Sequence, residues 1–134
     1  MKNYRYHSLL YTCLLVLLSC TSEEIPKDAT IIGTWQLIEM YSDPGDGSGT
    51  FRPVNSNKTI RFKTNNTFES NGIMCHLSLA SDAASKGTFS ETALTIAPDA
   101  CELDVNLTYK IESEYLIIYY FCIEGCGEKF KKIN

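Results

Sequence analysis

Apolar and polar residues alternate along much of this chain, and the alternation is most regular over residues 103–111. Within that stretch every odd-numbered position is apolar, from Leu103 to Ile111, and every even-numbered position is polar. A period of two predicts a half-buried antiparallel strand. Further strands are predicted at residues 31–41, 58–63, 67–70, 86–90, 93–97, 115–122 and 128–133. No convincing helical stripe is present, although residues 77–84 fit one or two helical turns.

Eight short strands in about 105 residues predict an all-β fold, either a closed barrel or a sandwich. Because consecutive strands follow one another as hairpins, we expect an antiparallel, eight-stranded up-and-down barrel with a short helix or none. The strand at 115–122 is apolar on both faces, so it is either packed on both sides or has one face against a partner or ligand. The aromatic residues expected to point inward are Trp35, Phe62, Phe68, Tyr109 and Tyr120.

The first residues read as an export signal. Lys2 and Arg5 precede residues 9–18, which are apolar except for Thr12. As a helix, ten residues span about 15 Å, only half of a hydrocarbon core, which argues against a transmembrane anchor. The sequence Leu-Leu-Ser-Cys that ends at Cys20 resembles the lipobox of bacterial lipoproteins. That resemblance implies a signal peptide over 1–19, cleavage before Cys20, and acylation of Cys20 with fatty acids such as palmitate.

Residues 20–29 are mostly polar, contain one proline and have no periodicity, so we expect a tether between the lipid and a barrel domain at 30–134. Two or three acyl chains would hold the protein on a membrane almost permanently. No aspartate follows Cys20 directly. By analogy with other bacterial lipoproteins, this favours a lipid-anchored protein of the outer membrane, on its periplasmic or cell-surface face. The membrane is thus an expected partner.

Composition and charge narrow the classes of partner. A content of 44% hydrophobic and 21% charged residues is typical of a folded domain. The predicted signal peptide holds two of the twelve cations and no acid, so ten cations face sixteen acids in the rest of the chain. This acidic balance, with no basic cluster, argues against nucleic acid as a partner.

The cysteines fit an exported domain. After the signal peptide and Cys20 are set aside, Cys75, Cys101, Cys122 and Cys126 are left, an even number that predicts two disulfides. We favour pairing Cys122 with Cys126, because Gly125 allows a tight loop, which leaves Cys75 for Cys101. The alternative is that Cys122 or Cys126 reaches back to Cys75 or Cys101.

The first predicted strand contains Gly33-Thr34-Trp35, a G-x-W motif near the start of the mature domain. With the all-β pattern, it resembles the lipocalin family and in particular the small lipocalin-like domains of bacterial lipoproteins. The resemblance implies that Gly33 lets the chain enter the barrel floor and that Trp35 plugs it. Lipocalins pack an arginine of the last strand over this tryptophan, and here Lys131 or Lys132 would have to replace it through its alkyl stem.

In that family a long loop after the first strand covers the mouth of the barrel. The corresponding residues 42–50 contain three glycines and a proline, which exclude regular structure. They fit either a lid over a ligand cavity or a flexible connector. A calcium loop is the weakest reading, because Asp43 and Asp46 lack the EF-hand spacing.

The sequence offers few residues that could act together in catalysis. The mature chain has a single histidine, His76, and as neighbours in a strand His76 and Cys75 would point to opposite faces. We expect neither an enzyme nor a cofactor. A soft-metal site built from Met74, Cys75 and His76 with the Cys122–Cys126 pair is a competing hypothesis, disfavoured by that alternation and by an oxidising compartment.

The sequence therefore predicts a lipid-anchored envelope lipoprotein whose lipocalin-like barrel is not catalytic. One hypothesis is that it binds a small hydrophobic ligand at Phe62, Phe68, Tyr109 and Tyr120, since eight-stranded barrels can hold one small ligand. The alternative is a protein-binding envelope factor, of inhibitor or immunity type, whose barrel is filled by its own side chains. A cavity inside the barrel would favour the first hypothesis, and a filled interior the second.

Overall fold

The structure is a computed structural model that describes residues 30–134. The predicted signal peptide (1–19), the tether (20–29) and the lipidation site at Cys20 lie outside the described residues. The described chain contains nine strands: β1 (Gly33–Ser42), β2 (Arg52–Pro53), β3 (Thr59–Phe62), β4 (Thr67–Ser70), β5 (Ser85–Ser90), β6 (Thr95–Pro98), β7 (Leu107–Glu112), β8 (Tyr115–Tyr119) and β9 (Cys126–Lys132).

Eight of these strands close into an antiparallel up-and-down barrel. From β3 to β9 each strand pairs with the next along the chain, and β1 closes the circle by pairing with β3 on one side and β9 on the other. The two-residue β2 pairs only with the end of β1, at Glu39 and Met40. The fold class predicted from the alternation is confirmed, and the architecture is consistent with a lipocalin-like fold. Residues 30–134 contain no helix, hence none that could cross a membrane.

The strand predicted at 103–111 starts four residues late, at Leu107. Leu103 is 78% exposed instead of facing the core. Two observations explain the difference. Strands β6 and β7 pair only at Thr95 and Ile96, and a disulfide ties Cys101 to Cys75 in the neighbouring loop. A covalent link outside the sheet therefore holds residues 99–106 away from the ladder that their sequence pattern favours.

The two ends of the barrel are connected differently. At the end that holds Trp35, which we call the floor end, the connections are residues 63–66, 91–94 and 113–114. At the opposite mouth end they are residues 43–58, 71–84, 99–106 and 120–125, and both disulfides lie there. Short turns therefore join the strands at the floor, and long irregular loops gather at the mouth.

The core is the barrel interior, filled by the inward-facing side chains of the strands. Phe62 packs edge-on against Phe89, with ring centroids 5.2 Å apart, and lies 5.9 Å from the ring of Phe68. The outer face of β8 is covered as well, because Ile117 is buried between its cross-strand neighbours Lys110 and Lys129. Strand β8 is therefore packed on both faces, but it ends at Tyr119, and Phe121 of the predicted strand 115–122 is exposed beyond it.

Candidate functional site

The structure places Gly33 and Trp35 together at the floor end. Gly33 has a φ of 129°, and a Cβ there would overlap the carbonyl oxygen of Asn134, so only glycine fits without strain. Trp35 is buried and donates its indole N–H to the carbonyl of Ile31 at 2.7 Å. The Lys132 ammonium lies 5.2 Å from the Trp35 ring centroid. Lys132, and not Lys131, therefore occupies the place over the tryptophan.

The four residues expected to contact a ligand are part of the packed interior. Phe62, Phe68, Tyr109 and Tyr120 are all buried in one apolar cluster with Trp35. The main depressions of the described surface are lined by other residues and lie outside the barrel wall. The structure therefore brings these four aromatic residues together as core, with side chains occupying the interior.

A segment of the β4–β5 connection closes the mouth. Residues 73–78, which we call the mouth lid, send Met74 into the core, where it is fully buried. The sulfur of Met74 lies 3.8 Å from the hydroxyl of Tyr120. The lid is anchored on the far side of the mouth by Ser78, whose backbone N–H donates to the Glu128 carboxylate at 3.1 Å.

The lid rests on a buried ion pair that the sequence analysis did not identify. Lys58 and Glu128 are both completely buried, and the Lys58 ammonium donates to both Glu128 oxygens at 2.9 Å. The same ammonium also donates to the carbonyls of Ile73 at 2.7 Å and Ser78 at 3.2 Å. Tyr120 completes the network by donating its hydroxyl to Glu128 at 2.7 Å. Every polar group of the pair is thus satisfied, as burial of charge demands.

Burial changes the proton affinities in this network. Removal from water lowers the pKa of Lys58, and the attraction of Glu128 opposes that change. Burial and the adjacent Glu128 carboxylate raise the pKa of Tyr120 well above its usual value. One signal could have revealed the pair. Lys58 shares the inward alternation of Ile60 and Phe62, and Glu128 shares that of Phe130.

The loop at residues 43–50 folds on itself. The carboxylate of Asp43 accepts backbone N–H groups from Gly45, Gly47 and Gly49 at 2.7–3.1 Å. These hydrogen bonds, first that from Gly45, lower the pKa of Asp43. None of residues 43–50 is buried. The segment that covers the mouth is therefore residues 73–78. Residues 43–50 form an exposed connector whose backbone is ordered by hydrogen bonds to the carboxylate of Asp43.

Both disulfides form in the favoured pairing. Cys75 is bonded to Cys101 and Cys122 to Cys126, so all three cysteines of the soft-metal hypothesis are held in disulfides. Within residues 30–134, no three His, Cys, Asp or Glu side chains are grouped so as to hold a metal. The short disulfide closes a ring of residues 122–126, and we call residues 121–125 the tip loop. In this loop Phe121 is 78% exposed and Ile123 is fully exposed.

A groove of about 1220 Å³ lies on the outer wall of the described barrel, and we call it the outer groove. One side is the outward face of β3, β4 and β5, and the other is formed by the two mouth loops that the Cys75–Cys101 disulfide joins. The exposed Leu103 belongs to this second side. Candidate binding surfaces are therefore on the outside of the barrel, at its mouth end.

Comparison of the chain with protein-family models, with curated proteins and with solved structures finds no match. Function must accordingly be argued from the residues and their geometry.

Proposed function

We propose that this chain is an exported, lipid-anchored envelope protein that binds another protein through the mouth end of a filled barrel. The observation that carries the proposal is the tip loop, where Phe121 and Ile123 extend into solvent from a disulfide-closed turn. Soluble proteins seldom expose large apolar side chains side by side unless the surface meets a partner. A closed loop also loses little conformational freedom on binding, which favours affinity.

The position of the chain entry argues that this partner is a protein rather than the membrane. Residues 30 and 31 lie at the floor end, where their carbonyls accept from Lys132 and Trp35. A tether over residues 20–29 would span at most about 35 Å when fully extended. An anchor at Cys20 would therefore be attached to the barrel at its floor end, opposite the tip loop.

The export and anchoring part of the proposal rests on the lipobox-like sequence that ends at Cys20. Metabolic labelling with palmitate tests it directly. We expect the wild-type protein to be labelled and to fractionate with the outer membrane, and the Cys20→Ser variant to lose both properties. Labelling of Cys20→Ser to the wild-type level would contradict lipidation at this residue.

Protein binding is tested by a photo-crosslinking amino acid placed at Ile123 in cells that produce the protein. The control position is Leu94, which is about half exposed in a floor-end turn. We expect one defined crosslinked product from position 123 and none of that mass from position 94. The partner identified from it should bind the wild-type protein and Leu94→Ser with equal affinity, and Phe121→Ser/Ile123→Ser at least tenfold more weakly. Equal affinity for all three would contradict the proposal.

A second candidate function is the binding of a small hydrophobic ligand inside the barrel. It is favoured by the mouth lid, which pairs with no strand and is held by the buried Met74, by the Cys75–Cys101 disulfide and by hydrogen bonds to Lys58 and Glu128. If the lid opens, an apolar probe such as N-phenyl-1-naphthylamine should bind with a saturable fluorescence increase at one site per chain. If no saturable signal is observed, ligand binding inside the barrel is excluded and protein binding is the one proposed function that is left.

A further inference from the structure

The outer groove has one charged wall and one apolar wall. Its charged wall is a row of outward side chains that the strand register places next to each other, with Arg61 opposite Glu69 and Glu69 opposite Lys86. Its apolar wall contains Ile73, Leu103 and Val105. The Cys75–Cys101 disulfide lies in the same wall and ties the two loops that form it.

The cations of the charged wall are free to receive a ligand. Glu69 is bonded to Lys63, whose hydrogen bond holds the pKa of that carboxyl below its usual range. Within residues 30–134, neither Arg61 nor Lys86 has an acidic side chain within ion-pair distance. The row therefore places Arg61 and Lys86, neither of them in an ion pair, on either side of a carboxylate that is bonded to Lys63 and whose pKa the charge of Arg61 also lowers.

The spacing of these cations selects the kind of ligand. Arg61 lies on β3 and Lys86 on β5, two strand spacings apart, which is about 10 Å between strand axes. A single carboxylate could bind one of them at a time, whereas two acidic residues of an extended peptide, about 7 Å apart at positions i and i+2, can reach both through these long side chains. Arginine in particular pairs well with carboxylates.

The apolar wall fits the same ligand. In an extended peptide, successive side chains point to opposite sides, so alternating acidic and apolar residues match a groove with one cationic and one apolar wall. Leu103, which is 78% exposed, would lose its contact with water. The acids Asp99 and Glu102 and the side chain of His76 also line the groove, on the loop side. Asp99 and Glu102 would repel a peptide that was turned so that its acidic side chains faced the loop side of the groove.

We propose that the outer groove binds an extended segment of the partner protein in which acidic and apolar residues alternate, with the acids on Arg61 and Lys86 and the apolar side chains on Leu103 and Val105. This inference rests on the proposed protein-binding function and assigns the groove as a binding site beside the tip loop. At 1220 Å³ the groove exceeds the usual size of a small-molecule pocket.

The test uses the Cys20→Ser chain with both disulfides formed and three synthetic probes: acetyl-Glu-Leu-Glu-Leu-Glu-amide and the matching Gln-Leu and Lys-Leu peptides. Binding is followed by backbone amide NMR at low salt. We expect the Glu-Leu peptide to bind saturably and to shift the amides of residues 61, 69, 86, 103 and 105. The Gln-Leu peptide should bind about tenfold more weakly, and the Lys-Leu peptide should not bind.

The test variant and the control variant each remove two positive charges. Arg61→Gln/Lys86→Gln should weaken binding of the Glu-Leu peptide about tenfold, and Leu103→Ser should weaken it too. The control Lys110→Gln/Lys131→Gln removes two exposed cations from β7 and β9 and should bind like the wild type. No saturable binding, equal affinity for the Gln-Leu peptide, or shifts confined to residues 121–123 would each overturn the proposal. The tip-loop crosslinking result would stand in any of these cases, so the two failures are distinguishable.

Discussion

The floor and the mouth of this barrel are closed by opposite kinds of chemistry. At the floor, the large apolar side chain of Trp35 is buried and donates one hydrogen bond, from its indole N–H to the carbonyl of Ile31. At the mouth, the buried charges of Lys58 and Glu128 hold a loop in place through backbone carbonyls and an N–H group. An apolar plug tolerates some misplacement, whereas a buried ion pair demands that every donor and acceptor be matched.

The difference between the two ends shows which part of the barrel is available to a binding partner. At the floor end, turns of only two to four residues join the strands, and most of their residues are exposed. The mouth-end loops, fixed by two disulfides and one ion pair, carry the apolar residues Leu103, Phe121 and Ile123 into solvent. Such loops on a rigid scaffold are the usual location of binding residues. The mouth loops are therefore held mainly by these links, since only Arg52 and Pro53 among their residues pair with a strand.

Removing one member of the ion pair should have the largest effect. Lys58→Met leaves the Glu128 carboxylate buried without its cation, and we expect the free energy of unfolding to fall by about 3–5 kcal/mol. Denaturant unfolding measures this loss. The double variant Lys58→Met/Glu128→Leu removes both charges and should be clearly more stable than Lys58→Met alone. Equal instability of the two variants would show that the charge pair does not organise the mouth.

The floor is tested by Trp35→Ala, for which we expect a loss of about 3–5 kcal/mol, since removal of a buried aromatic side chain creates a cavity. Ile133→Ala, at an exposed floor-end residue, is the control and should change stability by less than about 0.5 kcal/mol. Unlike the loss of stability in Lys58→Met, the loss in Trp35→Ala should be the same whether or not Glu128 is also replaced. A shift of only a few degrees in melting temperature would count against Trp35 as the plug.

The two disulfides should contribute unequally to the mouth. Cys75 and Cys101 are 26 residues apart and Cys122 and Cys126 only 4, so by the chain-entropy model they stabilise by about 3.5 and about 2 kcal/mol respectively. Denaturant unfolding of Cys75→Ser/Cys101→Ser and Cys122→Ser/Cys126→Ser compares them. The reverse order would indicate that folded-state packing, rather than loop closure, sets their contributions.

The smallest effect is expected at alkaline pH. Burial first, and then the Glu128 carboxylate, raise the pKa of Tyr120 well above 10 in the folded protein. Above pH 10 the unfolded chain therefore releases a proton that the folded chain keeps, and stability falls as pH rises, with a slope of up to about 1.4 kcal/mol per pH unit. Tyr120→Phe should remove this contribution to the slope, whereas the raised pKa of Tyr109 contributes in both proteins. The lowered pKa of Lys58 acts in the opposite direction in both proteins, so the difference between them isolates Tyr120.

The sequence predicted the structure better at the floor than at the mouth. At the floor, the G-x-W motif and the alternation at residues 67–70 led to the observed positions, because strand periodicity and one bulky residue act over a few neighbours. At the mouth, residues 99–106 follow a disulfide instead of their alternation, and the lid is residues 73–78 instead of 43–50. The ion pair joins residues 70 positions apart, and no local pattern links them.

The sequence by itself determined that the chain is all-β, that its strands pair in chain order, and that four cysteines form two bridges, because period-two alternation, short turns and an even cysteine count act locally. Only the tertiary structure decided that Phe62, Phe68, Tyr109 and Tyr120 pack in one buried cluster, that Lys58 meets Glu128, and that Leu103, Phe121 and Ile123 lie in solvent. Which loop covers a barrel depends on contacts between distant segments, and the energies of buried charges and crosslinks outweigh local preference there.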